Sequence, residues 1–379
     1  MKILAATGSF KDTFSSIESC RMIRDILVER HEVAMAPVCD GGEYTYDILK
    51  YYYKDAIEIK VDNVINPYGK PVTSHYLALK GKAFVISSEI LHLTPEEEEY
   101  KNPLKLTDYG LGQLIRDAVR KGFKDINLCL GGTSTVGFGM GTAQALGAVF
   151  TDVDGNVLSN PEDGNSHALC PGDYRDISAI KWNKADYRDI KLTVINDGIT
   201  KASDLDRVNP LKIGTGFGDI KSEIIKGLDK AADKVYELTN FTSEDAYSGN
   251  GGGIYYGIER IFDSEYLKGA DYFCRLFHLV DMIDKADIVI TGEGRYDNPH
   301  LEKLPVTVAN MAKKLGKRVI YVCGSRDKND DKTESIDEII SCDDYYRTHD
   351  VKRDYESVTE MYRKLTPMIL KERLGEAGL

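Results

Sequence analysis

The sequence predicts an α/β protein built on parallel sheets, and two stretches of the chain support this fold class. Near the start, apolar strands at residues 2–6 and 32–36 flank residues 17–30, whose apolar side chains recur at helical spacing. Near the end, strands at residues 287–290 and 318–323 flank a helix with proline at its start. Strand–helix–strand units almost always make a right-handed parallel crossover, so both stretches predict parallel strands.

The chain is long enough for two domains. Its 379 residues exceed the ~150 typical of one domain, so we expect two domains with a cleft between them. In residues 56–91, short β-rich segments alternate with the turn signals "NPYGKP" and "KGK", and this change marks the start of the second domain. The remaining predicted elements are helices at residues 111–120, 220–238 and 272–283, strands at 125–130 and 191–197, and helices after the loops "GGTSTVGFGMG" and "SGNGGG".

Composition and charge exclude two classes of protein. The chain is 42% hydrophobic and 29% charged, and it has no apolar run near the ~20 residues of a membrane-spanning helix, so no membrane partner is expected. The start "MKILAATGSF" lacks the apolar core and cleavage site of a signal peptide, which predicts a cytoplasmic protein. With 61 acidic and 49 basic residues the net charge is −12, which would repel nucleic acid, so no nucleic-acid partner is expected.

Cysteine and histidine show no metal or redox pattern along the sequence. The seven cysteines are scattered with no CxxC pair, which predicts reduced thiols. None of the seven histidines has a partner at the spacing typical of a metal or nucleophile site. His300 lies in a candidate loop, but solvent exposure is the expected reason for it.

Four glycine-rich stretches are predicted at strand ends or helix starts: "CDGGE", "LGGTSTVGFGMG", "SGNGGG" and "TGEGRYD". Glycine lets backbone N–H groups approach an oxyanion, and a helix N-terminus adds partial positive charge. Ligands of open α/β sheets bind at the carboxyl ends of strands, so together these loops predict a small molecule that carries phosphate. The GxxxxGK[ST] P-loop and the GxGxxG fingerprint are both absent, which disfavours a P-loop NTPase and an NAD-dependent oxidoreductase on a Rossmann-like domain.

Acidic and basic residues in these stretches suit phosphoryl transfer. Four carboxylates lie beside the glycines: Asp40, Glu43, Asp197 and Glu293. They suit Mg²⁺, which prefers a few carboxylates together with substrate phosphates. Three lysines could supply positive charge to a migrating phosphoryl group: Lys11, Lys212 and Lys303. A solvated surface side chain is the alternative interpretation for each lysine.

The stretch "TGEGRYD" crowds Glu293, Arg295 and Asp297 into a loop predicted at the end of a strand. Arg295 can bind a carboxylate or phosphate with two parallel hydrogen bonds, while the two acids orient it or hold a metal. A salt-bridge network that only caps the sheet is the structural alternative.

Several motifs occur in a characteristic order along the chain. They are "SFK" at 9–11, "DGGE.T" at 40–45, "NPL" at 102–104, "G.G.LI" at 110–115, "AQALG", "ADIVITGEGR.D" and "K.P..VA..AK". This order resembles the glycerate kinase family of the type with two α/β domains, over nearly the whole chain. The resemblance implies ATP- and Mg²⁺-dependent phosphorylation of a small hydroxy acid, D-glycerate, to a phosphoglycerate. A homodimer is compatible with it.

The resemblance also implies how the domains are arranged. A flavodoxin-like or Rossmann-like parallel-sheet domain, residues 1–60 and 286–379, is interrupted by a second α/β domain, residues 61–285. The active site lies in the cleft, where we expect Asp40, Gly132, Asp197 and Arg295 to converge.

Motifs and resemblance together define a predicted site. The predicted catalytic residues, of which one acid accepts the hydroxyl proton and two lysines neutralise the phosphoryl group, are Lys11, Asp40, Asp197 and Lys303. Predicted to bind substrate are Ser9, Glu293, Arg295 and Asp297. Predicted to bind phosphate or nucleotide are Gly131, Gly132, Thr133, Ser134, Lys212, Gly251 and Gly252. Predicted to bind Mg²⁺ are Asp40, Glu43 and Asp197.

Departures from the family pattern concentrate in the same loops. Gly8 replaces an Asp, Gly137 and Phe138 replace Asp-Gly after Thr-Val, Ser87 replaces a Glu, Leu211 replaces a Gln, and Glu302 stands in a shortened loop. These changes keep a second hypothesis open: a catalytically weak relative that binds a sugar acid or a nucleotide as a sensor.

Overall fold

The computed structural model describes most of the chain, in two compact units. The described residues are 1–10, 13–93, 97, 101–159, 161, 167–198, 200–201, 204, 212–239, 247–296, 303–326, 333–348 and 358–376. Unit 1 consists of Met1–Asp40, Asp47–Tyr52 and Gly269–Leu379, and unit 2 consists of Gly41–Tyr46 and Tyr53–Lys268.

Strands and helices alternate along much of the chain. The strands are β1 Lys2–Ala5, β2 Glu32–Met35, β3 Ile57–Ile65, β4 Pro71–Leu79, β5 Lys82–Ile86, β6 Asp125–Cys129, β7 Val149–Thr151, β8 Ala179–Lys181, β9 Lys191–Asn196, β10 Ser264–Lys268, β11 Ile288–Tyr296, β12 Arg318–Arg326 and β13 Glu338–Ser341. The α-helices are α1 Ser16–Leu27, α2 Thr45–Tyr52, α3 Ser88–Leu91, α4 Tyr109–Arg120, α5 Met140–Ala145, α6 Lys221–Thr239, α7 Ile254–Glu259, α8 Gly269–Leu276, α9 Leu279–Asp284, α10 Leu304–Lys314, α11 Cys342–Thr348 and α12 Val358–Leu370. Short 3₁₀ turns lie at Pro103–Lys105, Pro171–Asp176, Ala185–Tyr187 and Thr215–Ile220, and a π-helical turn at Lys371–Glu376 follows α12.

Unit 1 is built on a five-stranded sheet in the order β13, β12, β11, β1, β2, and every neighbouring pair is parallel. Successive residues of a strand point to opposite faces. Ile3 and Ile288 therefore belong to a core with α1 and α12, whereas Leu4 and Val289 belong to a second core with α8, α9 and α10. Burial of both faces explains the unbroken apolar run "IVI" at residues 288–290.

Helix α1 shows why the first crossover forms where it does. The Ser15 hydroxyl accepts a hydrogen bond from the Glu18 N–H at 3.2 Å, and the Glu18 carboxylate accepts one from the Ser15 N–H at 2.8 Å. This capping box satisfies two N–H groups that have no partner inside the helix, so it fixes the start of α1.

Unit 2 contains a six-stranded mixed sheet in the order β10, β9, β6, β5, β4, β3. The four strands from β10 to β5 are parallel, and β4 and β3 join them as antiparallel neighbours. Helix α4 packs Leu111, Leu114, Ile115 and Ala118 into the core, at the spacing of one helix face. Strands β7 and β8 form a separate antiparallel pair. The predicted α/β fold class is confirmed.

The prediction that "TGEGRY" forms a loop is wrong. Strand β11 continues through Tyr296, with Glu293 opposite Cys323 and Arg295 opposite Ser325 on β12. Glycine and charged residues have low strand propensity, but backbone pairing with a neighbouring strand overrides it. Asp297 lies outside the described residues.

Two further differences concern a helix and several short strands. The helix predicted at residues 272–283 is two helices, α8 and α9, because His278 adopts the left-handed conformation with φ 53°. The sequence did not predict strands β7, β8, β10 and β13, because each of these segments has at most two consecutive apolar residues.

The two units have boundaries that differ from those predicted at residues 60/61 and 285/286. The chain first passes to unit 2 after Asp40 and finally leaves it after Lys268. β10 ends at Lys268 and pairs with β9, which places the segment before α8 in unit 2.

All seven cysteines are free thiols, as predicted. In the part of the chain that the structure describes, none of the helices combines the length and the apolarity needed to cross a membrane.

Candidate functional site

In unit 1, the loop after β1 contacts strand β11 at the carboxyl edge of the parallel sheet. The Gly8 N–H donates a 2.8 Å hydrogen bond to the Gly292 carbonyl, and the Thr291 hydroxyl donates one of 2.8 Å to the Ala6 carbonyl. Ser9 follows directly and is half-buried. The predicted substrate residue Ser9 therefore lies beside the "TGEGRY" part of β11.

Strand β11 carries two charged side chains, Glu293 and Arg295. Glu293 is held by a hydrogen bond, and Arg295 is exposed to solvent. The Tyr321 hydroxyl donates a 2.8 Å hydrogen bond to Glu293 Oε1. Burial first, and the Glu293 charge second, raise the pKa of Tyr321 well above its ordinary value, so the phenol keeps its proton. Arg295 is exposed, so its guanidinium can bind an anion that arrives from solvent.

The first turn of α10 borders the same edge. A side-chain carbon at Gly8 would lie 3.5 Å from the Pro305 ring. Lys303 is the half-buried N-cap residue, and its carbonyl accepts a 2.9 Å hydrogen bond from the Thr307 N–H. Lys303 therefore stands beside a helix N-terminus, where the aligned peptide dipoles add positive potential.

In unit 2, two glycine-rich segments touch through their backbones. The Gly131 N–H donates a 3.1 Å hydrogen bond to the Gly41 carbonyl, and a side-chain carbon at Gly131 would lie 2.5 Å from Gly42 Cα. Only glycine allows this approach. The buried Ser87 hydroxyl donates a 2.7 Å hydrogen bond to the Gly131 carbonyl. Ser87 thus ties the end of β5 to this loop.

Among the next three residues of the loop, Thr133 is bonded to a lysine and Ser134 to helix α3. The Lys212 ammonium group donates a hydrogen bond to the Thr133 carbonyl, and the Ser134 hydroxyl and N–H both donate to the last carbonyl of α3. Gly132 is exposed, and within the described residues its N–H donates no hydrogen bond. The Glu43 side chain lies alongside, 3.3 Å from where a side-chain carbon of Gly132 would be.

Asp197 follows β9 in a turn whose backbone is held from both sides. Asn250 Nδ2 donates a 2.7 Å hydrogen bond to the Gly198 carbonyl, and the Tyr266 hydroxyl donates to the carbonyls of Asn196 (2.9 Å) and Gly198 (2.6 Å). Burial first, and the Asp197 charge second, raise the pKa of Tyr266, so it stays a donor. The half-buried Asp197 carboxylate is therefore carried by a rigid turn.

The "SGNGGG" turn packs on the same loop system. Gly252 has φ +68°, and a side-chain carbon there would lie 1.9 Å from the Thr135 carbonyl oxygen. The Gly252 carbonyl accepts a 3.1 Å hydrogen bond from the Phe138 N–H. Gly251 packs against Leu130, and a side-chain carbon at Gly251 would lie 2.7 Å from the leucine side chain. Glycine is required at Gly252 both by conformation and by space.

The two sets of predicted residues lie in different units. In unit 2, one loop system contains Glu43, Gly131, Gly132, Thr133, Ser134, Asp197, Lys212, Gly251 and Gly252. In unit 1, the carboxyl edge of the sheet contains Ser9, Glu293, Arg295 and Lys303. Asp40 is half-buried and belongs to unit 1, where its carbonyl contacts Gly269. Lys11 and Asp297 lie outside the described residues.

The loop system of unit 2 contains groups that can bind a metal cation and groups that can bind a phosphate anion. The carboxylates of Glu43 and Asp197 offer oxygen ligands to a hard cation, and the Gly132 N–H and Lys212 offer hydrogen bonds and charge to phosphate.

Asp108 is a buried carboxylate that sequence reasoning missed. Its Oδ1 accepts hydrogen bonds from the N–H and hydroxyl of Thr142, and among the described residues nothing donates to its Oδ2. A side-chain carbon at Gly137 would lie 2.6 Å from that Oδ2. Burial raises the pKa of Asp108 to about 6. The Asp108 carboxylate thus occupies the space beside Gly137.

Known proteins resemble this chain over almost its full length. The sequence model described as "Glycerate kinase family" matches residues 3–369. A glycerate kinase of Bacillus subtilis (strain 168) is 30% identical over 363 residues, which cover 90% of each chain. A glycerate kinase of Halalkalibacterium halodurans is 29% identical over 353 residues, 85% of each chain. The glycerate 2-kinase of Escherichia coli (strain K12) is 29% identical over 351 residues, 86% of this chain and 85% of the relative.

A solved structure agrees with these sequence matches. A crystal structure from Salmonella typhimurium LT2, provisionally named glycerate kinase 2, superposes with a TM-score of 0.65 at 26% identity and covers 99% of this chain and 98% of that one. The family match, the relatives and the superposition all span both units. The chain therefore belongs to the glycerate kinase family of phosphotransferases.

Proposed function

We propose that this protein transfers the terminal phosphoryl group of ATP to a hydroxyl group of D-glycerate, giving a phosphoglycerate. The observation that carries the proposal is the family match over residues 3–369, because its glycine- and acid-bearing segments stand at the carboxyl ends of parallel strands in each unit. Parallel sheets bind ligands at that edge. Relatives named glycerate kinase support glycerate as the substrate.

In this proposal, unit 2 binds the nucleotide phosphates. The N–H of Gly132 donates to a phosphate oxygen, and Lys212, already bonded to the Thr133 carbonyl, adds positive charge beside it. The Ser134 and Gly251–Gly252 segments shape the loop. Phosphoryl transfer depends chiefly on such positioning and charge neutralisation.

Three of the predicted carboxylates would hold Mg²⁺. Asp40, Glu43 and Asp197 supply the oxygen ligands that Mg²⁺ prefers. When bound, Mg²⁺ neutralises charge that develops on the phosphate oxygens.

Unit 1 binds glycerate in this proposal. The exposed Arg295 pairs with the glycerate carboxylate, Ser9 and Glu293 bond its hydroxyl groups, and Asp297 helps to orient Arg295.

Proton transfer and charge neutralisation complete the proposed mechanism. Asp197 or Asp40 accepts the proton of the attacking hydroxyl. Lys11 and Lys303 neutralise the migrating phosphoryl group, the latter from the N-cap of α10.

A coupled assay of ADP release tests the activity. The protein is incubated with Mg²⁺, ATP and either D-glycerate, L-glycerate or a related sugar acid, next to a Lys11→Ala variant. We expect turnover with D-glycerate that Lys11→Ala lowers by at least about tenfold, the effect of losing one charged contact in the transition state. Turnover no higher than in that variant for every acid would exclude the proposal.

A matched pair of lysine variants tests the nucleotide loop. Lys212→Ala removes the cation that bonds the Thr133 carbonyl, so kcat/KM for ATP should fall about 10- to 100-fold. Lys181→Ala removes an exposed lysine of β8 and should leave kcat/KM unchanged. Equal effects of the two substitutions would place Lys212 outside the nucleotide site.

The buried Asp108 beside Gly137 favours one alternative, a relative that binds its ligands with little catalysis. The resemblance implies an aspartate where this chain has Gly137, and the Asp108 carboxylate beside Gly137 is enclosed by protein rather than open to substrate. Thermal unfolding with ATP and with glycerate, separately, distinguishes the two. Stabilisation by either ligand without turnover would favour the binding function.

A further inference from the structure

Three chemically different ligand groups meet at the surface of unit 2. The donor atoms of His167, Cys170 and Asp173 all lie within 4.8 Å of one another. His167 Nε2 is 2.9 Å from Asp173 Oδ2, and the Cys170 thiol donates to that same oxygen at 3.2 Å. The three ligands are different residue types, so no paired cysteine or histidine motif indicated a metal site in the sequence.

The backbone that carries these side chains is fixed by other contacts. The Ser159 hydroxyl donates to the His167 carbonyl, and the buried Gln144 side chain accepts a 3.0 Å hydrogen bond from the Leu169 N–H. The Cys170 N–H donates to Asp173 Oδ2 at 2.9 Å, at the start of the 3₁₀ turn Pro171–Asp176. A cation at this place would find its ligands already arranged, so little ordering entropy opposes its binding.

We infer that His167, Cys170 and Asp173 form a binding site for a divalent transition-metal ion such as Zn²⁺. Zn²⁺ binds sulfur at about 2.3 Å and imidazole nitrogen or carboxylate oxygen at about 2.0–2.2 Å. In tetrahedral geometry these bond lengths place the ligand atoms about 3.5 Å apart, which lies within the 4.8 Å limit on the separation of the three donor atoms. Three protein ligands leave a fourth position for water.

The donor set selects against Mg²⁺. Mg²⁺ requires oxygen ligands in octahedral geometry, whereas thiolate and imidazole favour zinc and its neighbours in the first transition series. The site is therefore chemically separate from the carboxylates assigned to Mg²⁺, and it does not depend on the proposed kinase activity.

A nucleophilic thiol is the other function that cysteine, histidine and aspartate could serve together. A nucleophile needs its thiolate stabilised by a positive neighbour. Here the Cys170 thiol lies 3.2 Å from the Asp173 carboxylate, which is a negative neighbour. A negative neighbour opposes a free thiolate but favours a bound cation.

Bound metal would also brace the candidate nucleotide loop. Tyr174 follows Asp173 in the same 3₁₀ turn, is fully buried, and donates a 2.5 Å hydrogen bond to the Gly137 carbonyl. A metal that fixes this turn therefore restrains the backbone at Gly137 as well.

Titration of the metal-free, full-length protein with Co²⁺ tests the site, because a cobalt–thiolate bond gives a charge-transfer absorption band. We expect a band that saturates at one Co²⁺ per chain and that Zn²⁺ abolishes by competition. Cys170→Ser, which keeps a hydroxyl at the start of the turn, should abolish the band. His167→Ala should weaken Co²⁺ binding at least tenfold, and this side chain is 65% exposed, so its loss should not disturb folding.

His278→Ala provides the matched control. His278 Nδ1 lies 3.7 Å from an Asp281 carboxylate oxygen with no cysteine in the cluster, and its replacement should leave Co²⁺ binding unchanged. Unfolding temperatures without metal should match between Cys170→Ser and the wild type, while Zn²⁺ should raise only that of the wild type. Absence of a band, or a band that persists in Cys170→Ser, would overturn the inference.

Discussion

At the scale of single residues, Asp108 is the clearest case of a side chain placed at an energetic cost. Its carboxylate is buried, accepts two hydrogen bonds from Thr142, and lies against Gly137. Burial disfavours the charged form, which is why its pKa rises from an ordinary value of 3.8 to about 6. Because Asp108 is buried against Gly137 at this cost, we expect it to shape the turn at Gly137.

Asp108→Asn should change how stability depends on pH. Below about pH 4 the Asp108 carboxyl is protonated both folded and unfolded. Between about pH 4 and 6 only the unfolded chain releases the proton, so the wild type loses stability as pH rises, by about 3 kcal/mol at neutral pH. The variant should lack this loss, as measured by urea unfolding from pH 4 to 7. Asp154→Asn, at an exposed position, should retain it, and equal slopes for both variants would contradict the prediction.

Asn250 holds the turn that carries Asp197. It is buried, donates to the Gly198 carbonyl and to the Tyr266 hydroxyl, and accepts from the Thr200 N–H. Asn250→Ala should lower the free energy of unfolding by about 2 kcal/mol, because the Gly198 carbonyl and the Thr200 N–H lose their hydrogen-bond partner. It should also lower kcat/KM at least tenfold, because the turn that carries Asp197 loosens. Tyr247→Phe, in a ring that stacks on Tyr266, should change neither quantity. Wild-type kinetics in Asn250→Ala would separate this turn from the active site.

At the scale of elements, tight packing of backbone on backbone shapes the candidate nucleotide loops. The "SGNGGG" turn lies directly on the loop after β6, and its contact depends on the absence of a side chain at Gly252. Strand β11 shows the opposite influence, since its pairing with β12 extends a strand through glycine and charged residues. Local sequence propensity predicts neither the packing of the "SGNGGG" turn nor the length of β11.

Gly252→Ala should be far more destabilising than Gly155→Ala. Both glycines have positive φ, +68° and +84°, so alanine costs about 1–2 kcal/mol of backbone strain at either. At Gly252 the added carbon also meets the Thr135 carbonyl oxygen at 1.9 Å, whereas nothing lies within 4 Å at Gly155. Denaturant unfolding of both variants isolates the packing cost, which we expect to exceed about 2 kcal/mol. Similar losses would mean that the loop after β6 moves aside.

At the scale of the whole molecule, the chain divides its candidate site residues between two units, each with its own parallel sheet edge. Unit 2 carries the segments proposed to bind nucleotide, and unit 1 carries those proposed to bind glycerate. This division predicts that the two ligands protect different parts of the backbone.

Hydrogen exchange measured by mass spectrometry tests that division. ATP with Mg²⁺ should slow exchange at residues 131–134 and 251–253, and D-glycerate should slow it at residues 8–9 and 293–296, because bound ligands restrict opening of the segments they contact. The β7–β8 pair serves as an internal reference that neither ligand should affect. Protection of residues 131–134 by glycerate alone would reverse the assignment.

Local pattern was enough to predict much of the fold. Helical periodicity placed α1, α4 and α10, apolar runs placed β1, β6 and β9, and glycine-rich turns marked the loops between them. These signals depend only on residues that are close in sequence, so they can be recognised without the tertiary structure. The motif order likewise identified the family that the comparison confirms.

The tertiary structure alone decided which distant residues meet. Ser87 bonds Gly131 across 44 residues, and Asp108 reaches the space beside Gly137. Sheet order and loop packing set such contacts, and no period or spacing along the chain encodes them. The cluster of His167, Cys170 and Asp173 is local, and the sequence did not reveal it for a different reason. Its three residues are three apart along the chain, but they are three different ligand types, so no paired cysteine or histidine motif marked them.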